Sequence, residues 1–164
     1  MKDQKLPLRD RLALVFLSFF GTGYAPKAPG TVGSLATIPL IILLSHLGLN
    51  IFTLIGFTVA LTILSSLVAE YIQSKLQVHD PGWIVIDEVI GMLVTWIFIF
   101  PSTEPIDLIL LFVLFRIFDI IKIFPASWFD RNLKHGAGTI IDDVISGLYA
   151  GLLLWGLKYF HLIS

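Results

Sequence analysis

Two pairs of neighbouring carboxylates stand out in this sequence, because each pair interrupts a long apolar run. The segment "WIVIDEVIGML" contains Asp87 and Glu88, and the segment "GTIIDDVISGL" contains Asp142 and Asp143. Magnesium in proteins prefers oxygen ligands, usually one or two carboxylates together with water and substrate phosphate. Four carboxylates close together would repel one another, so a bound divalent cation would explain why they coexist. The alternative is helix capping, since acidic side chains favour the start of a helix, and one pair alone would be explained better in that way.

A second charged pattern lies in the apolar segment "FRIFDIIKIFP". Arg116, Asp119 and Lys122 follow one another at intervals of three residues, which places them close to one face of a helix. Charged residues within membrane segments usually face the bundle interior or a wet cavity, and they are candidates for function. Two alternatives remain open. The three residues could form a self-neutralising structural group, or Lys122 could extend along its helix to the membrane surface.

The loop "GYAPKAPGTVGSL" could receive a phosphate, because it brings Lys27 and free backbone amides to the start of an apolar segment. The N-terminus of a helix binds anions through its unpaired N–H groups, and Thr31 is placed to cap this helix. By itself, however, such a loop is explained better as a turn between two membrane segments.

A second polar loop, "RNLKHGAGTIIDD", leads into the second acid pair and contributes Arg131 and His135 as basic residues. His79 and Asp80 precede the first acid pair, and they could be either a ligand pair or an ordinary polar loop. All of these residues are therefore candidate contributors from loops to the same site.

The elements that must position these residues are membrane helices. The chain has 164 residues, of which 56% are hydrophobic and 14% charged, whereas a soluble domain has about 25% charged residues. We expect an all-α, compact polytopic membrane bundle that forms one domain over residues 1–164. About five spanning helices are predicted near 31–47, 51–69, 84–100, 106–122 and 140–158, after a short N-terminal interfacial or re-entrant helix near 12–20. The net charge of −1 argues against nucleic acid as a partner.

The distribution of basic residues predicts the orientation of this bundle. With alternating spans, ten of the eleven Lys and Arg residues fall on one side, and Lys158 alone falls on the other. Basic residues collect on the cytoplasmic side of membrane proteins. Both acid pairs are therefore expected at the cytoplasmic face.

Small residues follow the second acid pair at helical spacing. Asp143, Gly147 and Gly151 lie on one stripe, and Asp87, Gly91 and Thr95 repeat the pattern on another segment. Small residues four apart allow membrane helices to approach closely. The stripe could pack within one chain or between two copies, so a homo-oligomer remains open.

Four segments together resemble the bacterial phosphatidylglycerophosphatase A family: "APKAPGTVGSLATIP", "VHDPGWIVIDEVIGMLVT", "FRIFDIIKIFP" and "WFDRNLKHGAGTIIDDVISG". The resemblance extends from about Gly21 to Leu154 and follows the order of the family. It implies a magnesium-dependent lipid phosphatase of the bacterial inner membrane, which converts phosphatidylglycerophosphate to phosphatidylglycerol. The acidic pattern of the family falls on Asp80, Asp87, Glu88, Asp119, Asp130, Asp142 and Asp143. Its basic positions fall on Arg116, Lys122 and Arg131, and only loosely on Lys27.

The resemblance and the residues together suggest hydrolysis assisted by magnesium. The expected metal ligands are Asp87, Glu88, Asp119, Asp142 and Asp143. Glu88 or Asp143 would orient or deprotonate the attacking water, and the basic residues would neutralise the phosphate. An Asp nucleophile with a phosphorylated intermediate remains a variant.

Two functions from other classes compete with this hypothesis. A divalent-cation carrier or channel would have carboxylates near the middle of the membrane or at both faces. A non-catalytic protein that binds anionic lipid would explain the basic residues but not the paired carboxylates.

Overall fold

The computed structural model describes residues 6–78, 80–128 and 136–163, and this part of the chain is helical without β-strands. The predicted all-α class is therefore confirmed. The helices are α1 (Leu8–Leu17), a short 3-10 helix (Thr22–Tyr24), α2 (Pro29–His46), α3 (Ile51–Leu76), α4 (Ile86–Ile97), α5 (Pro105–Ile121) and α6 (Gly136–Tyr159).

Helix α3 is longer than its apolar run predicts, since it continues past residue 69 to Leu76. It begins at an N-cap in which the Asn50 side chain accepts a hydrogen bond from the Thr53 amide at 2.9 Å. It ends where Gln77 adopts a left-handed conformation. The polar final turns are held in place because Ile72 and Gln73 are buried against neighbouring helices. Packing therefore determines where this helix ends, whereas the uncharged run used to predict it stops before the first charged residue, Glu70.

Three described helices are long and apolar enough to cross a membrane: α2, α3 and residues 138–159 of α6. Helix α3 presents large apolar side chains such as Phe52, Ile63 and Leu67 on the outside of the bundle. Helix α4 has 12 residues and is therefore about 18 Å long, well short of the roughly 30 Å hydrocarbon core. Among the described residues, three helices therefore meet this length, whereas the sequence predicts about five spanning segments.

The N-terminal helix α1 has ten residues, or about 15 Å, and is too short to cross a membrane. This agrees with a short N-terminal helix that does not span, although it begins four residues earlier than its apolar run predicts. It packs against α3 and leaves Leu8 and Leu12 exposed.

Helix α4 forms the centre of the molecule. It packs against α2, α3, α5 and α6, and ten of its twelve residues are buried. The residues of α4 after Glu88 are almost all apolar, and a helix that is apolar on all sides is expected to be buried. The first acid pair is therefore carried on the most enclosed element of the fold.

Helices α2 to α6 alternate in direction, so the two acid pairs, on α4 and α6, meet at one end of the bundle. At this end, Gln73 of α3 donates to Thr139 of α6 at 3.1 Å, and Lys122 after α5 pairs with Asp142 at 2.7 Å. We call it the carboxylate end. It holds the starts of α2, α4 and α6 and the final turns of α3 and α5.

The opposite end of the bundle has its own long-range contacts. Ser45 at the end of α2 donates to the carbonyl of Pro101 at 3.3 Å. Lys158 near the end of α6 pairs with Asp107 in the first turn of α5 at 2.5 Å. Both ends are therefore fixed by polar contacts between helices.

Candidate functional site

The close crossing of α4 and α6 brings the two acid pairs together. A Cβ atom added to Gly147 would lie 3.1 Å from the Gly91 Cα and would overlap the Gly91 carbonyl. Thr95 bridges the same crossing, because its hydroxyl donates to the carbonyl oxygens of Gly91 at 2.9 Å and Gly147 at 3.2 Å. The predicted small-residue stripe thus packs within one chain.

Three carboxylates form the centre of the site. Asp87, Glu88 and Asp143 each offer an oxygen atom, and these three oxygens lie within 4.8 Å of one another. Asp87 and Asp143 are buried, and Glu88 is largely enclosed. The spacing is short enough for all three to contact one metal ion.

Helix capping explains only part of this arrangement. The Glu88 amide donates to the Asp87 carboxylate at 3.1 Å, so Asp87 does satisfy one amide in the first turn of α4. Asp142 and Asp143, however, are the seventh and eighth residues of α6, and capping acts within the first turn. The second acid pair is therefore not a cap.

Two basic residues lie beside the carboxylates and pair with them. Arg116 forms an ion pair with Asp119 at 2.6 Å and lies 3.8 Å from Glu88. Lys122 pairs with Asp142 at 2.7 Å. Lys122 also ends α5 in a left-handed conformation, and its ammonium turns toward the carboxylates, so it does not extend to the membrane surface.

A cavity of about 140 Å³ opens over these groups. Helices α4, α5 and α6 and the loop before α4 all contribute to its wall. The lining residues are Asp80, Gly82, Ile84, Asp87, Glu88, Asp119, Lys122, Thr139, Asp142 and Asp143.

The start of α2 approaches the site from another side. A Cβ atom on Gly30 would overlap the Glu88 carboxylate and would lie 3.2 Å from the Arg116 guanidinium. The helix begins at Pro29 after Ala28, which is left-handed and provides no side-chain cap. Thr31 lies inside the helix, so its expected role as the N-cap is wrong. The uncapped start of α2 therefore lies beside Glu88 and Arg116.

Among the residues that the structure describes, acidic groups outnumber basic groups at the site. Six carboxylates line the cavity, whereas Arg116 and Lys122 are the two cations paired with them among the described residues. One Glu88 oxygen, Oε2, is buried and has no hydrogen-bond partner in this part of the structure. Buried polar atoms are normally satisfied. An excess of carboxylates with an unpaired oxygen fits a divalent cation.

The structure separates the predicted site residues into groups. Asp87, Glu88 and Asp143 converge. Asp119 and Asp142 line the same cavity and form the shorter ion pairs, at 2.6 Å with Arg116 and 2.7 Å with Lys122, whereas Glu88 lies 3.8 Å from Arg116. Asp80 lines the cavity, and Lys27 is exposed and is not part of the lining. The remaining candidates lie outside the described residues: His79, Asp130, Arg131 and His135.

Several residues at the site are not predicted from the sequence, among them Thr139 and Gly30. Thr139 lines the cavity. Its position four residues before Asp143 indicates that it lies on the same helical face as that carboxylate. Gly30 contacts the site through its backbone. The sequence indicates only the loop that contains it, because nothing local shows which glycine meets a distant carboxylate.

Comparison with known proteins identifies similar chains. The family model described as Phosphatidylglycerophosphatase A matches residues 15–158. The phosphatidylglycerophosphatase A of Haemophilus influenzae is 39% identical over 97% of this chain and 96% of its own length. The protein of the same name from Escherichia coli is 39% identical over 83% of this chain and 77% of its own length.

A third relative has a different name. A Bacteroides thetaiotaomicron protein, provisionally named a phosphatidylinositol-3-phosphatase, is 34% identical over 82% of this chain and 86% of its own length. No solved structure matches the chain.

Proposed function

Since this chain belongs to the phosphatidylglycerophosphatase A family, we propose that the cavity at its carboxylate end hydrolyses the terminal phosphomonoester of phosphatidylglycerophosphate. The products are phosphatidylglycerol and phosphate, and the chain is accordingly an enzyme of phospholipid synthesis. The observation that supports this site most directly is the convergence of Asp87, Glu88 and Asp143 within 4.8 Å.

Magnesium is the proposed cofactor, and Asp87, Glu88 and Asp143 are its proposed ligands. The unpaired Glu88 oxygen and the excess of carboxylates support a divalent cation. When bound, the ion would polarise the phosphate oxygens and make an attacking water more acidic. Without such a cation, the six carboxylates of the cavity would repel a phosphate, because the two basic residues described beside them, Arg116 and Lys122, already pair with carboxylates.

The protein's own groups would bind and orient the phosphate. Arg116 carries several N–H donors in a planar fork suited to phosphate oxygens, and its pairs with Asp119 and Glu88 hold it at the cavity. Lys122 supplies a second positive charge. The uncapped start of α2 at Gly30 adds backbone donors and the positive end of a helix dipole. Lys27 and Arg131 are further candidates for contacts from loops.

The nucleophile is proposed to be water, oriented or deprotonated by Glu88 or Asp143. An Asp nucleophile would form a covalent phosphoaspartate during turnover. Acid quenching of the reaction with a radiolabelled terminal phosphate distinguishes the two pathways. Labelled protein would overturn direct attack by water.

The location of the cavity fits a lipid substrate. The carboxylate end is the end at which basic residues gather, so we place it at the cytoplasmic face of the bacterial inner membrane. A substrate phosphate can enter there while the two acyl chains remain in hydrocarbon. A cation carrier would need carboxylates available to an ion at both ends or near the middle of the membrane. The structure is less consistent with this, because Asp107, the buried carboxylate described at the opposite end, already pairs with Lys158.

The first experiment measures phosphate release from phosphatidylglycerophosphate by purified protein in detergent, with magnesium or with chelator. We expect release that depends on magnesium and falls at least about 100-fold in Asp143→Asn, a typical loss for a group acting directly in catalysis. The matched control is Glu104→Gln, which makes the same acid-to-amide change at an exposed carboxylate of the opposite end. Equal activity of the two variants, or release that resists chelation, would overturn the proposed site.

A second measurement tests metal binding without turnover. Titration calorimetry with magnesium should show binding to the wild-type protein that is lost in Asp87→Asn and Asp143→Asn. Asp142→Asn should retain more of this binding, because Asp142 pairs with Lys122. Equal affinities in all four proteins would exclude this ligand set.

A further inference from the structure

An apolar groove of about 340 Å³ runs between α1 and α3. One wall is formed by Leu12, Ala13 and Phe16, and the other by Leu64, Leu67 and Val68. Leu12 and Leu67 are 60% and 65% exposed, so the groove is open along the outside of the bundle. Its dimensions are within the range of small-molecule sites.

One end of the groove is basic. Arg9 lies over the ring of Tyr71, with its guanidinium carbon 4.4 Å from the ring centroid. Arg9 has no ion-pair partner among the residues that the structure describes. Stacking uses the face of a guanidinium and leaves its edge N–H groups available for a phosphate.

The neighbouring acid does not cancel this charge. Asp10 is buried and accepts hydrogen bonds from Tyr71 at 3.0 Å and from Lys75 at 2.6 Å. Lys75 therefore neutralises Asp10, and the same hydrogen bonds fix the ring on which Arg9 stacks. The three charges described around Tyr71, on Arg9, Asp10 and Lys75, therefore sum to one positive charge.

The groove is separate from the carboxylate cavity. Tyr71 and Gln73 are two residues apart on α3, which corresponds to about 200° around the helix. Tyr71 faces the groove, whereas Gln73 donates to Thr139 in the wall of the cavity. The two sites lie at the same end of the bundle on opposite sides of α3.

We propose that this groove binds one anionic phospholipid, with an acyl chain between α1 and α3 and the headgroup phosphate on Arg9. Charge complementarity favours this occupant, because the groove is apolar and ends at an arginine with no ion-pair partner among the described residues. Such a site matches a lipid tail joined to an anionic headgroup. The bound lipid holds the short helix α1 against α3. The site is independent of the catalytic reaction, since it uses none of the residues proposed for turnover.

The test is native mass spectrometry of the purified full chain in mild detergent, titrated with phosphatidylserine or with phosphatidylcholine. Phosphatidylserine is anionic and is neither substrate nor product of the proposed reaction. We expect one tightly retained phosphatidylserine per chain and weaker retention of phosphatidylcholine. Arg9→Gln should weaken phosphatidylserine binding about fivefold, as expected for the loss of one basic residue at a membrane surface.

Arg11→Gln is the matched control, because it removes the same charge from the same helix at an exposed residue outside the groove. It should bind phosphatidylserine as the wild type does. Ala13→Phe, which fills the groove, should weaken both lipids. Equal effects of the Arg9 and Arg11 substitutions, or equal retention of the two lipids by the wild type, would show only general contact with lipid and would overturn the proposal.

Discussion

The backbone of Gly147 on α6 lies directly against the backbone of Gly91 on α4, with no room for a side chain on either glycine. Asp87 and Asp143 each lie four residues before these glycines, one helical turn closer to the carboxylate end. The helix crossing therefore determines how far apart the two carboxylates are. Close packing of small residues is common in membrane bundles, and here it also positions the site.

The first prediction concerns this crossing. Gly147→Ala should separate α4 from α6, lower phosphate release at least about tenfold because the carboxylates no longer converge, and lower the unfolding temperature by about 5 °C. Gly156→Ala is the control on the same helix, since an added Cβ there meets no atom within 4 Å. Parallel activity and thermal-unfolding assays in detergent check both. Similar behaviour of the two variants would contradict the proposed role of the crossing.

The second prediction concerns the start of α2. A methyl group at Gly30 would displace the Glu88 carboxylate and crowd Arg116. Gly30→Ala should therefore raise the magnesium concentration needed for half-maximal activity and lower turnover about tenfold. Gly56→Ala on α3, where a Cβ meets open space, should leave both quantities unchanged. An unaltered magnesium requirement in Gly30→Ala would show that Glu88 is not a ligand.

The third prediction concerns the opposite end of the bundle. Asp107 is fully buried and accepts hydrogen bonds from Ser102 and Lys158. Lys158→Met should destabilise the fold by about 1–3 kcal/mol, less than a fully buried pair would lose because Lys158 is partly exposed. Denaturant unfolding measures this loss. The double variant Asp107→Asn/Lys158→Met should recover part of the stability, and a double variant less stable than Lys158→Met would contradict the argument.

The fourth prediction is a pH dependence of the α1 attachment. The hydrogen bond from Lys75, with a further bond from Tyr71, holds the pKa of Asp10 below its ordinary value although burial opposes this shift. A carboxyl group with a lowered pKa in the folded state stabilises the fold above its unfolded-state pKa of about 3.9, and this contribution is lost as the pH falls through the folded-state pKa. The attachment of α1 should therefore weaken in acid.

Thermal unfolding of the wild type and Asp10→Asn between about pH 7 and pH 3 checks this prediction. The wild type should be the more stable protein near neutral pH, and the difference should shrink below about pH 4 as Asp10 gains a proton. A difference that stays constant over this range would show that Asp10 does not contribute through its charge.

The sequence predicted the parts of the site that depend on alternating helices. Each acid pair follows the start of an apolar segment, so alternation alone brings both pairs to one end of the bundle. The spacing of Gly147 after Asp143 also indicated that this carboxylate faces another helix. These inferences hold because helical periodicity and the direction of consecutive helices are readable from local sequence.

Contacts between distant segments could not be predicted in the same way. Gly30 meets Glu88, and Asp10 pairs with Lys75, across separations that only the packed bundle defines. The division of the acidic residues into metal candidates and partners of cations also depends on packing. Asp119 forms an ion pair with Arg116, one turn away on the same helix, whereas Asp142 forms an ion pair with Lys122 at the end of another helix.

The short central helix gives the protein two very different hydrophobic lengths. The uncharged part of α3, residues 51–69, is about 28 Å long, whereas the buried α4 is about 18 Å long. The lipid-facing wall therefore matches a full bilayer, while the apolar barrier through the centre is little more than half as thick. In the proposed reaction, a lipid headgroup would descend below the membrane surface to reach Asp87 and Glu88, and its acyl chains would stay in their leaflet. Helix α3 must match the thickness of the bilayer around it. A change in bilayer thickness would therefore change the depth of the acidic cavity below the membrane surface.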